Sequence, residues 1–301
     1  MQDHLRHMLL FRTLVDAGTL TAAAEQLSLS KSVLSQHLKA LEQALGVQLL
    51  QRTTRKQVLT PAGQEFYQRC ADIEHLVDVA WQTARDSQQG LSGPIRITAP
   101  YALMDSVVAP AIARLVAEHP DIEPDLIAED KQLNLIEQRI DLAIRVGESP
   151  DSHLRQRRIG HFRETLVASE GYLQQAPALN PNNTDQQRFI RNAWQGHNST
   201  VTLWRQNISQ RFTFKASRHA NNLNAVLALA RSGVGLAYVP QFLLSQERLL
   251  YGASLREALP GFYSPAVNVY AIHPYQPLPR LVQQAIQEVE STLQQLCGGD
   301  V

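Results

Sequence analysis

The chain has 301 residues, which is about two average domains with room for a third small one. It contains 28 lysines and arginines and 28 aspartates and glutamates, so its formal charge is zero and it is not a polycation that coats nucleic acid or anionic lipid. With 44% hydrophobic and 19% charged residues, it has the composition of a folded globular protein, which excludes a disordered chain.

The sequence shows neither a membrane span nor a secretion signal. No apolar run approaches the roughly 20 residues that a span needs, and the first residues lack a basic start followed by an apolar stretch. Cys70 and Cys297 are the only two cysteines. We therefore expect a cytoplasmic protein in a reducing setting, with no membrane partner.

The positive charge is concentrated in one short segment. Residues 31–61 contain five cations, opposed by Glu42 alone, which gives a net charge of +4. Residues 62–90 carry a net −3 and residues 93–301 balance, so any binding to a polyanion must be local. A solvated surface is the plain alternative. The five cations are Lys31, Lys39, Arg52, Arg55 and Lys56.

Three short helices are predicted at the start of the chain, over residues 5–17, 22–27 and 31–45. Ser30 is the expected cap of the third helix and Gly46 its expected end. The third helix has two distinct faces. Its predicted core face carries Leu34, Leu38, Leu41 and Leu45, and the opposite face carries Ser32, Gln36, Lys39 and Gln43.

The polar face of the third helix has the chemistry of a major-groove reader: amide and hydroxyl groups for base edges, lysine for phosphates, and no bulky apolar group. Any amphipathic surface helix shows something similar, so the order of elements matters. This helix is the last of three, as in a helix-turn-helix, and residues 49–52 and 57–59 follow as the strands of a wing. The wing tip, residues 53–56, presents two cations to the DNA backbone or the minor groove.

A long helix is predicted from Pro61, with Thr60 as its cap, to about residue 89. Its apolar residues recur by fours and threes, the spacing of a coiled-coil seam, so two copies could pair along it. The alternative is a helix that lies on its own domain. Cys70 is interpreted as a small buried hydrophobe, not a nucleophile. The stripe consists of Phe66, Cys70, Ile73, Val77, Ala80 and Ala84.

Three stretches resemble the winged helix-turn-helix of LysR-type transcriptional regulators: residues 21–27 (TAAAEQL), residues 30–46 (SKSVLSQHLKALEQALG), and residues 49–53 with 59–63. The resemblance is specific over residues 1–90 and rests on length and architecture beyond them. It implies that Ser32, Gln36 and Lys39 face the groove, that Arg52 meets the backbone or minor groove, and that the long helix is a dimerising linker. The predicted contacts with double-stranded DNA are Ser30, Lys31, Ser32, Ser35, Gln36, Lys39, Arg52, Arg55 and Lys56.

A Gly/Ser/Pro interruption at residues 88–94 marks a domain boundary. Strands and helices then alternate, which predicts a parallel sheet with crossover helices, and the alternation repeats in a second unit before the chain returns to the first. Strands are predicted over residues 95–99, 123–128, 141–146, 166–168, 211–216, 236–239 and 267–272. Helices are predicted over residues 103–118, 131–138, 223–231 and 279–296.

The predicted fold class is α/β, with an N-terminal winged helix-turn-helix and a long linker helix. The resemblance implies that the remainder is a two-subdomain effector domain similar to periplasmic binding proteins. We expect a DNA-binding domain over residues 1–61, a linker helix over 62–90 and an effector domain over 93–301. Within the effector domain, the first subdomain spans about 93–162 and 266–301, and the second about 163–265.

Ligands of such sheets bind at the carboxyl ends of strands, where helix amino termini point their free amides. The first candidate is the turn from Thr98 to Ala102, whose amides could hold a carboxylate, and the second is the strand end at Arg145. The other candidates are polar residues just before predicted elements of the second half, and a glycine that allows close approach. The predicted effector contacts are Thr98, Pro100, Tyr101, Ala102, Arg145, Val146, Asn198, Ser199, Thr200, Asn221, Asn222 and Gly233.

Several of these candidates have a structural alternative. Asn221 or Asn222 could cap the helix at residues 223–231, and Gly233 could end it. Arg145 could pair with Asp141 or Glu148. A second group of cations is interpreted as a solvated connection and not as a basic patch: Arg155, Arg157 and Arg158.

No histidine pair with metal-ligand spacing, no nucleophile motif and no phosphate loop occurs in the sequence, so we expect no metal, no cofactor and no enzyme activity. We predict a ligand-responsive, sequence-specific DNA-binding regulator that acts as a homodimer or homotetramer. Its small-molecule effector is expected to be a carboxylate or an aromatic compound. The alternative is a regulator whose α/β domain is a constitutive oligomerisation scaffold without an effector, and an enzyme with an appended DNA domain is the least supported class.

Overall fold

The computed structural model describes residues 2–52, 57–86, 90–147, 154–192, 195, 198–206, 208–215, 218–252 and 254–298. The chain divides into two compact units. The first unit comprises Met1–Gln89 with Asn134–Arg139, and the second comprises Gly90–Leu133 with Ile140–Val301. Among the described helices, none is both long and apolar enough to cross a membrane.

The first unit begins with three helices in the predicted order. Thr19 caps the second helix by accepting from the Ala22 N–H, and the Ser30 hydroxyl accepts from the Val33 N–H at the start of the third. Gly46 ends the third helix at φ 70, a left-handed conformation that glycine adopts without strain. The helices are α1 (Gln2–Ala17), α2 (Leu20–Gln26) and α3 (Lys31–Leu45).

The apolar face of α3 packs in the core of the first unit. Leu34, Leu38 and Leu41 are buried together with Leu10, Phe11 and Leu14 of α1. Leu45 belongs to the same predicted core face, but it is 41% exposed. It is the last residue of α3, and Gly46 ends the helix directly after it.

The wing and the long helix follow as predicted. Strands β1 (Leu50–Arg52) and β2 (Gln57–Leu59) pair antiparallel, and α4 runs over Pro61–Asp86. Thr60 joins them, because its hydroxyl donates to the Gln48 carbonyl oxygen (2.7 Å) and accepts from the Gly63 N–H (2.9 Å). The predicted wing tip, with Arg55 and Lys56, lies outside the described residues.

The stripe along α4 is covered in part by the chain itself. Cys70 is buried in the core of the first unit, and the Phe66 ring lies 5.6 Å from the Phe11 ring. Burial raises the pKa of the Cys70 thiol to about 12, which fits a small core residue and not a nucleophile. Further along α4, Leu76 and Trp81 are 54% and 65% exposed. The early part of the helix therefore lies on its own domain.

The second unit contains two five-stranded mixed sheets. The first has the strand order β4-β3-β5-β14-β6, in which β3 is parallel to β4 and β5, and β14 is antiparallel to β5 and β6. Its strands are β3 (Gly93–Ala99), β4 (Ile122–Ala128), β5 (Leu142–Val146), β6 (Arg155–Phe162) and β14 (Val267–His273).

The second sheet has the strand order β11-β8-β12-β7-β13, in which β8 is parallel to β11 and β12, and β7 is antiparallel to β12 and β13. Its strands are β7 (Glu164–Ser169), β8 (Phe189–Asn192), β11 (Arg218–Ala220), β12 (Leu236–Pro240) and β13 (Leu255–Glu257). A separate antiparallel hairpin of β9 (Asn198–Arg205) and β10 (Ile208–Lys215) supplies Phe212 and Phe214 to the same core.

Helices cover these sheets. A π-helical turn at Met104–Val108 joins α5 to α6, so the predicted helix over residues 103–118 is one interrupted helical segment. The helix α8 has the predicted bounds. The helices of this unit are α5 (Tyr101–Leu103), α6 (Ala109–Glu118), α7 (Glu170–Gln175), α8 (Leu223–Arg231), α9 (Phe242–Tyr251) and α10 (Arg280–Cys297).

Three further sequence interpretations were wrong, besides the core position of Leu45. The predicted parallel sheets are mixed, because β14 and β7 run antiparallel to their neighbours. Residues 131–138 do not form a helix, and only 135–138 lie in turns. The Asn134 side chain accepts from the Ile136 and Glu137 N–H groups and so competes with helical hydrogen bonds. The segment with Arg155, Arg157 and Arg158 is exposed to solvent as predicted, but it is the edge strand β6 and not a connection. The combination of helix-turn-helix, linker helix and two α/β sheets confirms the predicted fold class.

Candidate functional sites

The face of α3 opposite its leucines is open to solvent. Lys31, Ser32, Gln36 and Lys39 are exposed, and Ser35 is half-buried. The Ser30 and Ser32 hydroxyls lie 2.9 Å apart at the start of the helix. The face therefore offers hydroxyl, amide and ammonium groups without an apolar obstruction, which is the set of groups that contacts base edges and phosphates.

The single acidic residue of the basic segment is turned away from that face. The Glu42 carboxylate accepts from the backbone N–H groups of Leu49 (2.8 Å) and Leu50 (3.2 Å) at the start of the wing. Its charge thus fixes the turn between α3 and β1 and does not neutralise the lysines of α3. The Arg52 side chain is outside the described part of the structure, as are Arg55 and Lys56.

A histidine pair that the sequence does not reveal joins α1 to α3. His7 Nε2 and His37 Nδ1 lie 3.0 Å apart, a hydrogen bond in which one ring nitrogen donates to the other. Burial lowers the pKa of His37, and the neighbouring His7 and Arg6 lower it further. A neutral His37 therefore suits the pair, which anchors the helix next to Gln36.

In the second unit, the chain passes from the first sheet to the second at a point where strands of both sheets have their carboxyl ends. Strand β6 runs parallel to β5, because both are antiparallel to β14, and it ends at Phe162. After Arg163, the chain enters β7 at Glu164, which pairs with Pro240 at the carboxyl end of β12. The edges that bind ligands in such sheets thus lie on either side of a one-residue connection.

The segment by which the chain returns from β13 to β14 is tied to this first connection. The Ser264 hydroxyl accepts from the Glu164 N–H (2.7 Å), and the Arg163 guanidinium donates to the Ser264 carbonyl oxygen (2.7 Å). Ser264 is almost fully buried. These hydrogen bonds hold the two connections between the sheets against each other.

Two of the predicted effector contacts, Thr98 and Arg145, are hydrogen-bonded to each other at the start of the turn from Thr98 to Ala102. Arg145 is only 6% exposed, and its guanidinium donates to the Thr98 hydroxyl (3.2 Å) and to the carbonyl oxygens of Glu129 (3.1 Å) and Lys131 (3.4 Å). All three partners are neutral oxygens. The sequence had suggested an ion pair of Arg145 with Asp141 or Glu148, and Glu148 lies outside the described residues. In this arrangement Arg145 holds the loop after β4.

The turn from Thr98 to Ala102 holds a carboxylate of the chain itself. The Tyr101 N–H donates to Asp130 Oδ1 (3.1 Å), and Pro100 has no N–H to offer. Burial raises the pKa of Asp130, the adjacent Glu129 raises it further, and the hydrogen bond from Tyr101 opposes this shift. The amide predicted to receive an effector carboxylate is thus engaged by Asp130.

A cavity of about 330 Å³ lies beside this turn, between the segment that begins at Tyr101 and the helices α8 and α9. This volume is at the lower end of the range for small-molecule sites. Leu223 and Asn224, which directly follow Asn222, line it together with Tyr101 and Ala102. The remaining lining residues were not predicted: Asp105, Ser106, Leu227, Arg231, Leu243, Gln246, Glu247, Leu250 and Tyr251.

The other predicted contacts are spread over the second unit. Asn222 caps α8 by accepting from the Asn224 N–H (2.8 Å), and Gly233, at φ 74, follows the end of α8, so both structural alternatives hold. Asn198 begins β9, Ser199 is buried, and the Thr200 hydroxyl lies 3.2 Å from that of Thr213 across the hairpin. Asn221 is exposed, and Val146 is half-exposed at the end of β5.

Glu164 is a further residue that the sequence did not reveal. It lies at the crossing between the sheets, and its carboxyl group is hydrogen-bonded to Tyr238 of β12. Burial raises the pKa of Glu164 to about 7, although the bond from Tyr238 opposes the shift. Only the assembled topology brings the two residues together, since they are far apart in sequence. Among the described residues, no group of three acidic, histidine or cysteine side chains could hold a metal ion.

Comparison with known families covers both units. Residues 5–64 match the family described as bacterial regulatory helix-turn-helix proteins of the lysR family, and residues 88–294 match the LysR substrate binding domain. The HTH-type transcriptional regulator PtxR of Pseudomonas aeruginosa is 34% identical over 277 residues, which are 90% of this chain and 86% of that protein.

Solved structures agree with these matches. The full-length Vibrio cholerae virulence activator AphB is 26% identical, with a TM-score of 0.58 over 95% of this chain and 98% of that one. ArgP from Mycobacterium tuberculosis, at 20% identity, shares the fold with a TM-score of 0.71 over 97% of each chain. The chain therefore belongs to the LysR family of DNA-binding transcriptional regulators.

Proposed function

We propose that the protein is a sequence-specific DNA-binding regulator whose activity responds to a small molecule bound in its second unit. The observation that carries the DNA-binding part is the division of α3 into two faces. Leu34, Leu38 and Leu41 are held in the core while Lys31, Ser32, Gln36 and Lys39 remain open to solvent. Such a helix can enter the major groove without rearrangement of the first unit.

The roles of the individual side chains follow from their chemistry. Gln36 is assigned to a base edge, because its amide can donate and accept at once. Lys31 and Lys39 are assigned to phosphates, and the hydroxyls of Ser30, Ser32 and Ser35 to either. Arg52, Arg55 and Lys56 of the wing are proposed to meet the backbone or the minor groove.

Ligand response is proposed for the cavity beside Tyr101 and for the strand edges next to it. A ligand there would contact the segment after β3 and the helix that Asn222 caps, so it would bind across elements of both sheets. It can shift the protein between two arrangements only by its difference in affinity for them, typically about 1–3 kcal/mol. Thr98 and Arg145 are proposed to support this site and not to touch the ligand, since each is buried and already hydrogen-bonded.

An oligomer is part of the proposal. Two recognition helices must be spaced over two half-sites, and the exposed part of α4 with Leu76 and Trp81 is suited to pair with a second copy. Since the target is chromosomal DNA, we place the protein in the cytoplasm. Catalysis is not part of the proposal, and the named relatives are transcriptional regulators.

The DNA-binding part is tested by selecting duplexes from a random pool with the full-length protein. We expect enrichment of a sequence with two related half-sites separated by about one helical turn or a multiple of it. Recovery of duplexes without any shared sequence would contradict specific recognition.

The second candidate function keeps the DNA-binding unit but makes the α/β domain a scaffold without a ligand. A thermal-shift screen of small molecules separates the two, because a ligand that binds only the folded protein raises its melting temperature with concentration. A hit must lose its effect when the cavity is altered at Ala102 or Leu227. A screen without hits would favour the scaffold.

A further inference from the structure

The cavity beside Tyr101 has one buried ion pair at its wall. Arg231 of α8 donates to both carboxylate oxygens of Glu247 of α9, each at 2.8 Å. The Tyr251 ring lies over the same guanidinium at 4.0 Å. The charge of Arg231 is thus matched by a carboxylate, and one face of its guanidinium is covered by an aromatic ring.

The remaining charge at the cavity is negative. Asp105 is an exposed lining residue, and no ion pair within 4.0 Å engages its carboxylate among the described residues. Lining side chains therefore comprise two carboxylates and one cation, and that cation is paired. A ligand with a negative charge would meet no unpaired lining cation in the described part of the cavity.

The Tyr101 backbone N–H, next to the cavity, does not offset this negative charge. The Tyr101 N–H is engaged by the carboxylate of Asp130, an acidic residue whose charge is opposed by the nearby Arg145. The second oxygen of that carboxylate, Oδ2, is buried and accepts no hydrogen bond within the described structure.

The rest of the wall is apolar or aromatic. Leu223 and Leu227 lie on one side, and Leu250 and Tyr251 lie on the other, with Tyr101 at the end near the turn. Aromatic faces attract cations and also pack against apolar groups. The combination of apolar walls with excess carboxylate fits an amphipathic molecule with a positive end.

We propose that the ligand of this cavity is an organic cation, an amine or a guanidinium compound with an apolar body, and not a carboxylate, which was one of the two classes expected from the sequence. The proposal rests on the proposed function of the second unit and specifies the chemistry of its ligand. The positive group lies between Asp105 and the Glu247 side, and the apolar body lies against the leucines. Because Ser106 already bonds to Gln246 of α9 (2.7 Å), such a ligand would strengthen an existing link across the cavity.

The test uses the full-length protein and matched pairs of probes. 2-Phenylethylamine and 3-phenylpropanoate share a phenyl ring and a two-carbon chain but carry opposite charges, and linear alkylamines are paired with alkanoates in the same way. We expect the cations to raise the melting temperature in a concentration-dependent manner and to bind at least tenfold more tightly than their acidic counterparts in calorimetry.

The outcomes separate the two levels of the proposal. Binding of the acids without binding of the cations would overturn the assigned ligand chemistry and leave a ligand-responsive domain in place. No binding by either series would overturn the assignment and would also count against ligand response itself. Equal binding of both members of each pair would show that the cavity does not distinguish ligands by charge, which would also overturn the assignment of a cationic ligand.

Two variants locate the effect. Asp105→Asn should weaken cation binding about tenfold, while Asp121→Asn, an exposed aspartate elsewhere in the same unit, should leave it unchanged. Equal affinities of the two variants would place the cation elsewhere. Glu247→Gln, which frees the Arg231 charge, should shift the preference toward the acids, and an unchanged preference in a folded Glu247→Gln protein would contradict the role of the pair.

Discussion

Glu164, at the connection between the two sheets, has a carboxyl group with a raised pKa. Its backbone N–H donates to the hydroxyl of Ser264 in the segment between β13 and β14, and its carboxyl group is hydrogen-bonded to the Tyr238 hydroxyl. The neighbouring cation, Arg163, is turned to the Ser264 carbonyl oxygen and the Tyr263 ring. Burial raises the pKa of this carboxyl group to about 7, where 4.5 is ordinary, although the hydrogen bond from Tyr238 opposes the shift.

This shift makes the stability of the second unit depend on pH. Below about pH 4.5 the carboxyl group is protonated in the folded and the unfolded chain, so it has no effect. Between about pH 4.5 and 7 the unfolded chain ionises first, so stability falls as pH rises, by about 3 kcal/mol at most. Glu164→Gln, which stays neutral, should melt higher than the natural protein at pH 8 and equally at pH 4.5.

The measurement is thermal unfolding of both proteins at pH 4.5, 6.5 and 8. Glu118→Gln, an exposed glutamate of α6, is the matched control and should show no pH-dependent difference. A constant difference between Glu164→Gln and the natural protein at all three pH values would contradict the buried-carboxyl explanation.

Gln36 carries the second prediction at this scale. It lies on the exposed face of α3, next to His37, whose bond to His7 fixes the helix. Gln36→Ala should reduce discrimination between the selected duplex and a scrambled one by about 1–3 kcal/mol for each base that Gln36 reads. Competition binding measures this ratio, and Gln283→Ala, on the exposed side of α10, is the control. An unchanged ratio would remove Gln36 from base recognition.

Among the elements, the wing and the linker helix depend on one glycine. A Cβ atom at Gly63, in the first turn of α4, would lie 2.0 Å from the Leu49 carbonyl oxygen. Both groups are backbone or fixed to it, so the helix must shift. Gly63→Ala should therefore destabilise the first unit by about 1–3 kcal/mol.

Thermal unfolding and duplex affinity together check this prediction. Gly171→Ala, in α7, is the matched control, because a Cβ atom there would meet no neighbour within 4 Å and φ is not positive. It should melt at the same temperature as the natural protein or higher. If Gly63→Ala also melts unchanged, the close packing of α4 on the wing is incorrect.

The elements that the sequence predicted well share a local cause. The helix α3 carries its own start and end signals, Ser30 and Gly46, and an uninterrupted leucine stripe. The helix α8 has the same kind of boundaries, with Asn222 as its cap and Gly233 just beyond its end. Such signals act within a few residues, so they are readable without the fold.

The elements that were missed depend on distant partners. Strand β6 has polar residues on both faces and is a strand because it pairs with β14 at the sheet edge, where Arg157 also forms an ion pair with Glu290 of α10. The helix α9 follows β12 without a side-chain cap. For the same reason, the cavity residues on α9 could not be named from the sequence, whereas the turn at Tyr101 could.

Over the whole molecule, the exposed part of α4 predicts association. Trp81 and Leu76 are large apolar side chains that the described chain leaves open. Trp81→Ser should lower the oligomeric state or weaken association at least tenfold, as measured by analytical ultracentrifugation over a range of concentrations. Ile208→Ser removes an equally exposed apolar residue from the hairpin and should leave association unchanged. Equal behaviour of the two variants would place the interface elsewhere.

The most direct test of DNA recognition by α3 is the salt dependence of duplex binding. The affinity of the full-length protein for its selected duplex is measured at several salt concentrations, for the natural chain, for Lys39→Ala and for Lys215→Ala, an exposed lysine of the hairpin. If Lys39 contacts a phosphate, the slope of log affinity against log salt should become shallower by about 0.9 in Lys39→Ala and stay unchanged in Lys215→Ala. A Lys39→Ala slope and affinity equal to those of the natural protein would contradict the placement of this face on DNA.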